Sequence, residues 1–443
     1  MNRKDQILQI YKAGLMAVDP VRIMHDVFTL QGSKLSVRER GNVVHSFDLD
    51  RFSSIKVVGC GKAAAAMAEG TEQVLGDRID KGLVVTRYGH CASRNLGKIQ
   101  ILEGNHPWPD QASVNATAET VKLLGNALDT DLVIALISGG GSALWTLPAS
   151  GIQLQDIVRL SELLLASGAD IHEMNIVRKH ISRIKGGQAA QWTHPATVVA
   201  ILVSDVPGDA FDTIASGPFF PDPSTYKDAI QVIEKYHLTE KIPVNVAKYL
   251  QNGLENGIGE TPKPGNACFH HVFHFLAASN KLALDSCAHK ARSLGYEPFV
   301  FDKELTGESV QASRFFCSKI KELSGSDRQH CVIAGGETTV TLGSQYGKGG
   351  RNQEFALASA MQIEGSDNIT ILSCGTDGCD GPTDAAGAVV DGRTAMMLRE
   401  AGVNLENALI EHDSYSALSA IGVLVKTGPT NTNVMDLQLA LIE

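Results

Sequence analysis

The apolar and polar positions divide the chain into short apolar strands alternating with amphipathic helices, the order expected of an α/β protein. Ile7, Leu8, Tyr11 and Leu15 recur at helical spacing, and Asp19 before Pro20 predicts a capped second helix running to Phe28. Residues 54–58 form a strand that turns at Gly59-Cys60-Gly61-Lys62 into an alanine-rich helix beginning at Ala63. Strands follow at 82–86, 131–137 and 196–203. The last two are almost continuously apolar, as strands covered on both faces are. An amphipathic helix is expected over 152–166. From 221 to 264 prolines, glycines and asparagines accumulate, which predicts a domain junction. A second α/β series follows: strand 271–277, helix to Ser293, strand 297–301, helix 308–323, strand 331–334, a helix from Asn352, strand 369–372, and helices from Thr394 through Ile421. No repeat of fixed period is present. The expected division is a first domain over 1–255 and a smaller α/β domain over 265–422, with 423–443 returning to the first.

Length agrees with that division, because 443 residues exceed one ordinary core. With 43% apolar and 20% charged residues the composition is that of a soluble globular protein. The 43 glycines cluster at the ends of apolar runs, where they suit loops that approach ligands. A net charge of −10 argues against a nucleic-acid surface but leaves room for small anions at local basic groups. Eight cysteines occur without a C-x-x-C pair, so reduced thiols and a cytoplasmic setting are expected. The charged start lacks a secretory pattern, and no apolar run reaches membrane length.

Several strand ends carry chemistry. Gly59-x-Gly61-x-x-Ala64 partly fits a dinucleotide fingerprint, but the next strand ends in Arg87, where a nicotinamide site wants an acid for the ribose. Lys62 sits at the helix start, where it is either a phosphate ligand or a solvated lysine. Strand 131–137 ends in Ser138-Gly139-Gly140-Gly141-Ser142, which leaves backbone donors bare and adds two hydroxyls. That is a stronger phosphate signal than the first loop. It is not a Walker A sequence. His106, between a strand and Pro107, is either a substrate contact or part of a rigid turn. Arg178, Lys179, His180, Arg183 and Lys185 make a basic patch, read as a site wall or a solvated helix face. Its Arg178, Lys179 and Arg183 are candidate ligands for a substrate carboxylate. Asp205 leaves strand 196–203 and is a candidate general base. Asn280, after strand 271–277, is placed with the substrate groups.

The densest stretch is 334–390. Gly335, Gly336 and Glu337 end one strand and are placed with the phosphate-binding groups. A glycine-rich loop leads to Arg351, whose planar fork can grip phosphate bidentately. A second strand opens into Asp377-Gly378-Cys379-Asp380, followed by Asp384. These acids either form Asp-Gly turns or offer hard oxygen ligands to a divalent cation, with Asp377 first and Asp380 second.

These motifs carry a resemblance. Gly61-Lys62-Ala63-Ala64, 136–144, Val177-Arg178-Lys179-His180, Lys185-Gly186-Gly187, Ser204-Asp205-Val206 and 214–218 look like the glycerate 2-kinase family. So do 335–340, Gly349-Gly350-Arg351-Asn352-Gln353-Glu354, 375–378 and 380–388, the part known as the MOFRL domain. The resemblance runs in order from about 55 to 436. It implies a Rossmann-like N-terminal domain and a smaller α/β C-terminal domain with the active site in the cleft. It also implies ATP-dependent phosphorylation of D-glycerate at the 2-hydroxyl, with a divalent cation such as Mg²⁺. Lys62 and Arg351 match the family's catalytic pair. The partner implied is a small molecule, with no nucleic acid or membrane, and a homo-oligomer is compatible. Two other readings stand beside it: a hydroxypyruvate reductase using NAD(P)H, which an older label of some members suggests, and a non-catalytic sugar-acid or nucleotide sensor.

Overall fold

The computed structural model describes residues 2–325, 328–343 and 345–443. The chain forms two compact units, Pro20–Ala277 and the segment ending at Asp19 together with Ala278–Glu443.

The unit Pro20–Ala277 begins with an antiparallel three-stranded sheet of β1 (Phe28–Gln31), β2 (Lys34–Glu39) and β3 (Asn42–Asp48). Its main sheet holds β4 (Ser54–Cys60), β5 (Lys81–Arg87), β6 (Ile99–Gly104), β7 (Asp131–Ile137), β8 (Thr197–Val203) and β9 (Val272–Ala278), in the order β6-β5-β4-β7-β8-β9. From β6 to β8 every pairing is parallel. All seven residues of β7 are buried, as the unbroken apolar run predicts for a sheet covered on both faces. The chain starts at β4, moves outward to β5 and β6, then crosses to β7 on the other side of β4. Strand order therefore reverses between β4 and β7. That is where open α/β sheets leave a crevice at their carboxyl ends.

A separate helical cluster contains Leu160, Leu164, Val177, Ile181, Tyr226, Ile233, Val246 and Leu250. It absorbs the stretch expected to be a junction. Tyr226 is buried, a Cβ on Gly253 would lie 2.5 Å from its ring, and its hydroxyl donates to the Gly259 carbonyl at 2.9 Å. Glycines there make room for an aromatic ring, and the boundary between units falls at Ala277.

The other unit is a mixed sheet of β10 (Glu297–Val300), β11 (Leu305–Glu308), β12 (His330–Thr339), β13 (Ile369–Gly375), β14 (Gly387–Asp391), β15 (Leu424–Val425) and β16 (Asp436–Ile442). The order is β10-β12-β16-β13-β14-β15, with β11 paired to β12. β16, expected to return to the first domain, lies instead between β12 and β13, antiparallel to both and buried along its length. The helix Arg3–Ala17 belongs here too: Ile7, Ile10 and Tyr11 are buried, and Tyr11 Oη donates to the Gly375 carbonyl at 2.7 Å. Among the described residues no helix is long and apolar enough to cross a membrane.

Candidate active site

Two glycine loops flank the reversal of strand order. β4 ends at Cys60, and Gly61 (φ +126°) admits no side chain, because a Cβ there would lie 2.1 Å from Ser138 Oγ. The loops are stitched together. Lys62 N–H donates to the Gly139 carbonyl (2.9 Å), Ala63 N–H to Ser138 Oγ (3.0 Å), and Ser138 N–H to the Cys60 carbonyl (2.9 Å). Gly59 touches the same partner strand, where a Cβ would sit 2.5 Å from the Leu136 carbonyl oxygen. Gly140 (φ +80°) precedes the one-turn helix Gly141–Leu144, and a Cβ on it would meet both the His106 ring (3.0 Å) and Lys62 Cγ (3.4 Å). Lys62, His106 and the triple-glycine loop therefore share one small region.

A third segment braces this region. Ala215 and Ser216 hold left-handed φ values of +51° and +62°, uncommon away from glycine and typical of backbone held by its surroundings. Ser216 Oγ lies 2.8 Å from Ser142 Oγ and donates to Asn175 Oδ1 at 2.9 Å. Lys185, fully buried below the loop, donates through Nζ to the Ser142 and Trp145 carbonyls, both at 2.5 Å, and burial pushes its ammonium down to about 7. Asn175 and Ser216 received no role of their own from the sequence, and Lys185 only a place in the basic patch. Their signal was proximity to glycine pairs, which does not say what a side chain reaches.

The basic patch separates into different environments. Lys179 is buried, 3.5 Å from Asp222 and 3.9 Å from Asp212, and ties the helix Ile171–His180 to the segment holding Ser216. His180 bridges the Ile176 carbonyl and Glu260. Arg183 stacks on Trp192 at 5.3 Å. Arg178 differs: among the described residues no hydrogen bond or ion pair engages its half-buried guanidinium, and it is close enough to Lys185 to help depress that ammonium. Of the three predicted carboxylate ligands, Lys179 is held by Asp222 and Asp212, while among the described residues no hydrogen bond or ion pair engages the guanidinium of Arg178 or of Arg183. Asp205 lies half-buried two residues beyond β8, at the same end of the sheet.

In the other unit, Arg351 is the first residue of the helix Arg351–Gln362. Asp436 takes its Nε at 2.6 Å and its Nη2 at 2.8 Å, and Glu337 lies 3.1 Å from Nη1. Asp380 caps this helix. Its carboxylate accepts the backbone N–H of Asn352 (3.1 Å) and Gln353 (2.8 Å) and the side-chain amide of Gln353 (3.0 Å). Burial, reinforced by Asp436, pushes Asp380 up to about 6 against those N–H groups.

Other predicted residues take structural places. Gly335 and Gly336 are within the β12 ladder. A Cβ on Gly335 would strike Asn280 Oδ1 and one on Gly336 the Leu305 carbonyl, so close packing accounts for both. Asn280 is buried and donates to the Val434 and Asp436 carbonyls, away from any substrate role. Among the described residues no group of three or more His, Cys, Asp or Glu side chains is arranged to hold a metal ion. Asp380, consumed by its cap, does not fit a cation. Asp377 is half-buried, and its Oδ1 accepts from Cys379 N–H at 3.0 Å. It fits Mg²⁺ only in the manner of sites that draw most ligands from water and substrate phosphates.

Comparison with known proteins places the chain. A model described as a domain of unknown function, DUF4147, matches residues 6–251, and the MOFRL family model matches 330–436. A glycerate 2-kinase from Pyrococcus horikoshii is 38% identical over 439 residues, 98% of this chain and 96% of that protein. A D-glycerate 2-kinase from Thermotoga maritima is 42% identical over 399 residues, 89% and 91% respectively. The crystal structure of a glycerate kinase from Thermotoga maritima matches with a TM-score of 0.84 at 38% identity, covering 99% of both chains. With the loops at 59–62 and 138–142 inside the first matched region and Arg351, Asp380 and Asp436 inside the second, the chain belongs to the glycerate 2-kinase family.

Proposed function

We propose that this protein transfers the γ-phosphoryl group of ATP to the 2-hydroxyl of D-glycerate, giving 2-phosphoglycerate and ADP. The observation that carries the reading is the pair of interlocked glycine loops on either side of the sheet's reversal point, with Lys62 between them. Phosphoryl transfer asks a protein mainly for positioning and for positive charge around the moving group. The loop at 138–142 supplies backbone donors and hydroxyls for phosphate, the N–H groups of Gly61, Lys62 and Ala63 being taken up by Val85, Gly139 and Ser138, and Lys62 supplies charge beside it. Arg351 serves the same phosphoryl group. Arg178, unpaired within its unit, takes the glycerate carboxylate, and Asp205 accepts the proton of the 2-hydroxyl. A divalent cation, when bound, neutralises phosphate charge, and Asp377 is its protein contact. The enzyme works in the cytoplasm with its cysteines reduced.

A nicotinamide-dependent reductase is the less favoured reading because β5 ends in Arg87, leaving no acid for a ribose. The test supplies ATP, Mg²⁺ and D-glycerate. ADP should form together with a product that enolase consumes directly, without phosphoglycerate mutase. A product requiring the mutase would move the transfer to the 3-hydroxyl. NADH oxidation by hydroxypyruvate with no ADP formed would replace the kinase by the reductase.

A further inference from the structure

Asp436 touches more than Arg351. Its surroundings say more. It opens β16, is fully buried, and sits opposite glycine on both neighbouring strands, Gly336 on β12 and Gly375 on β13. The backbone is held from two further elements. Asn280 Nδ2 donates to the Asp436 carbonyl at 3.0 Å. Met435, left-handed at φ +67°, accepts through its carbonyl from the Thr376 N–H (3.0 Å) and hydroxyl (2.6 Å). Non-glycine residues persist in that conformation where their surroundings fix them.

The carboxylate so fixed takes Arg351 from the side, through Nε and Nη2. Nη1 points to Glu337, whose side chain is 42% exposed while that of Asp436 is 0%. Breaking a buried, doubly hydrogen-bonded pair strands a charge, whereas a single contact to a half-exposed carboxylate costs little to exchange.

We infer that Asp436 is the positioning residue of Arg351: it holds the Nε edge of the guanidinium throughout, while the Nη1 edge passes from Glu337 to an oxygen of the transferring phosphoryl group. The inference rests on the phosphoryl-transfer reading above. Asn280 and Thr376 act behind Asp436 by fixing where its carboxylate stands.

The test is a double-mutant cycle on the whole enzyme, with ATP and D-glycerate. Asp436→Asn keeps the shape but sets an amide NH₂ against guanidinium donors, so the side-on grip is lost. In the wild-type background kcat should fall about tenfold or more, the scale of a misplaced catalytic group, with KM for D-glycerate within about threefold. In an Arg351→Ala background the same substitution should change kcat by less than about twofold, because nothing remains to be positioned. Where Asp436→Asn does not fold, Asp436→Glu, which keeps the charge but displaces it by a methylene, goes through the same two backgrounds under the same criterion. An equal fall in both backgrounds, or none in either, overturns the inference while leaving the kinase reading intact. A wild type that forms no ADP removes the kinase reading and the inference with it.

Discussion

Lys62 and Arg351 are cations in contrasting surroundings. Lys62 rises among glycines whose backbone approaches it closely, whereas Arg351 is encircled by Asp436, Glu337 and Asp380. The carboxylates around Arg351 hold its charge and orientation, and the glycines around Lys62 carry no side chain to crowd it. If both serve the transferring group, removing either should cost transition-state stabilisation without loosening the fold. Lys62→Ala and Arg351→Ala should each lower kcat by at least about a hundredfold, with near-native circular dichroism. Undiminished turnover in a folded variant takes that residue out of the mechanism. Arg351→Lys should rescue little, since a point charge cannot replace a fork held along one edge.

At the scale of elements, the helix Arg351–Gln362 shows how one carboxylate can be mistaken for a ligand. Asp380 stands in an Asp-Gly sequence that looks alike whether it binds a cation, makes a turn or caps a helix. The structure spends it on the cap, and the cap sets where Arg351 begins. Its raised value gives a measurable consequence. A folded-state pKa of about 6 lies above the usual value of about 4, so the folded state binds the proton more tightly than the unfolded chain. The stability linked to that proton is fully present below pH about 4 and lost as pH rises through about 6. Urea unfolding at pH 4.5 and 7 should show wild type losing stability relative to Asp380→Asn as pH rises, by roughly 2 kcal/mol. A difference that stays constant across this range would contradict the account of Asp380. The strands and glycine loops were legible because their signals are local: unbroken apolar runs for β7 and β8, and glycines at strand ends. The partners were not. Residues 178–185 read as one basic patch, yet they lie at the end of a helix and through the turn after it. That splays Lys179 to Asp222, His180 to Glu260 and Arg183 to Trp192. Asp436 meets Arg351 from 85 residues away, across a strand pairing that no local periodicity encodes.

At the scale of the whole molecule, the chain's two ends are built into the second unit. Local pattern predicts the helix through Ile7, Tyr11 and Leu15 but not the strand Asp436–Ile442, and the expected division places both ends of the chain in the first domain. Packing decides otherwise. β16 supplies the central pairing between β12 and β13, and the helix lies along Asn280–Ser293, with Gly14 so close to Cys287 that a Cβ would approach its sulfur to 2.7 Å. Burying Ile7, Ile10 and Tyr11 is worth roughly 1.5–3 kcal/mol for each side chain, a large share of what one domain has in total. Removing residues 1–19 should therefore weaken a unit that begins 259 residues after the cut, at Ala278, and spare the one that follows directly. Amide hydrogen exchange reads this unit by unit. In the truncated protein, exchange should accelerate in the helix Asn280–Ser293 and in β13 and β16, next to the Gly375 carbonyl that loses the Tyr11 hydroxyl. Protection in β4, β7 and β8 should stay as in the full chain. Equal loosening of both sheets would mean that the N-terminal helix is shared between the units, and the division at Asp19 would have to be redrawn.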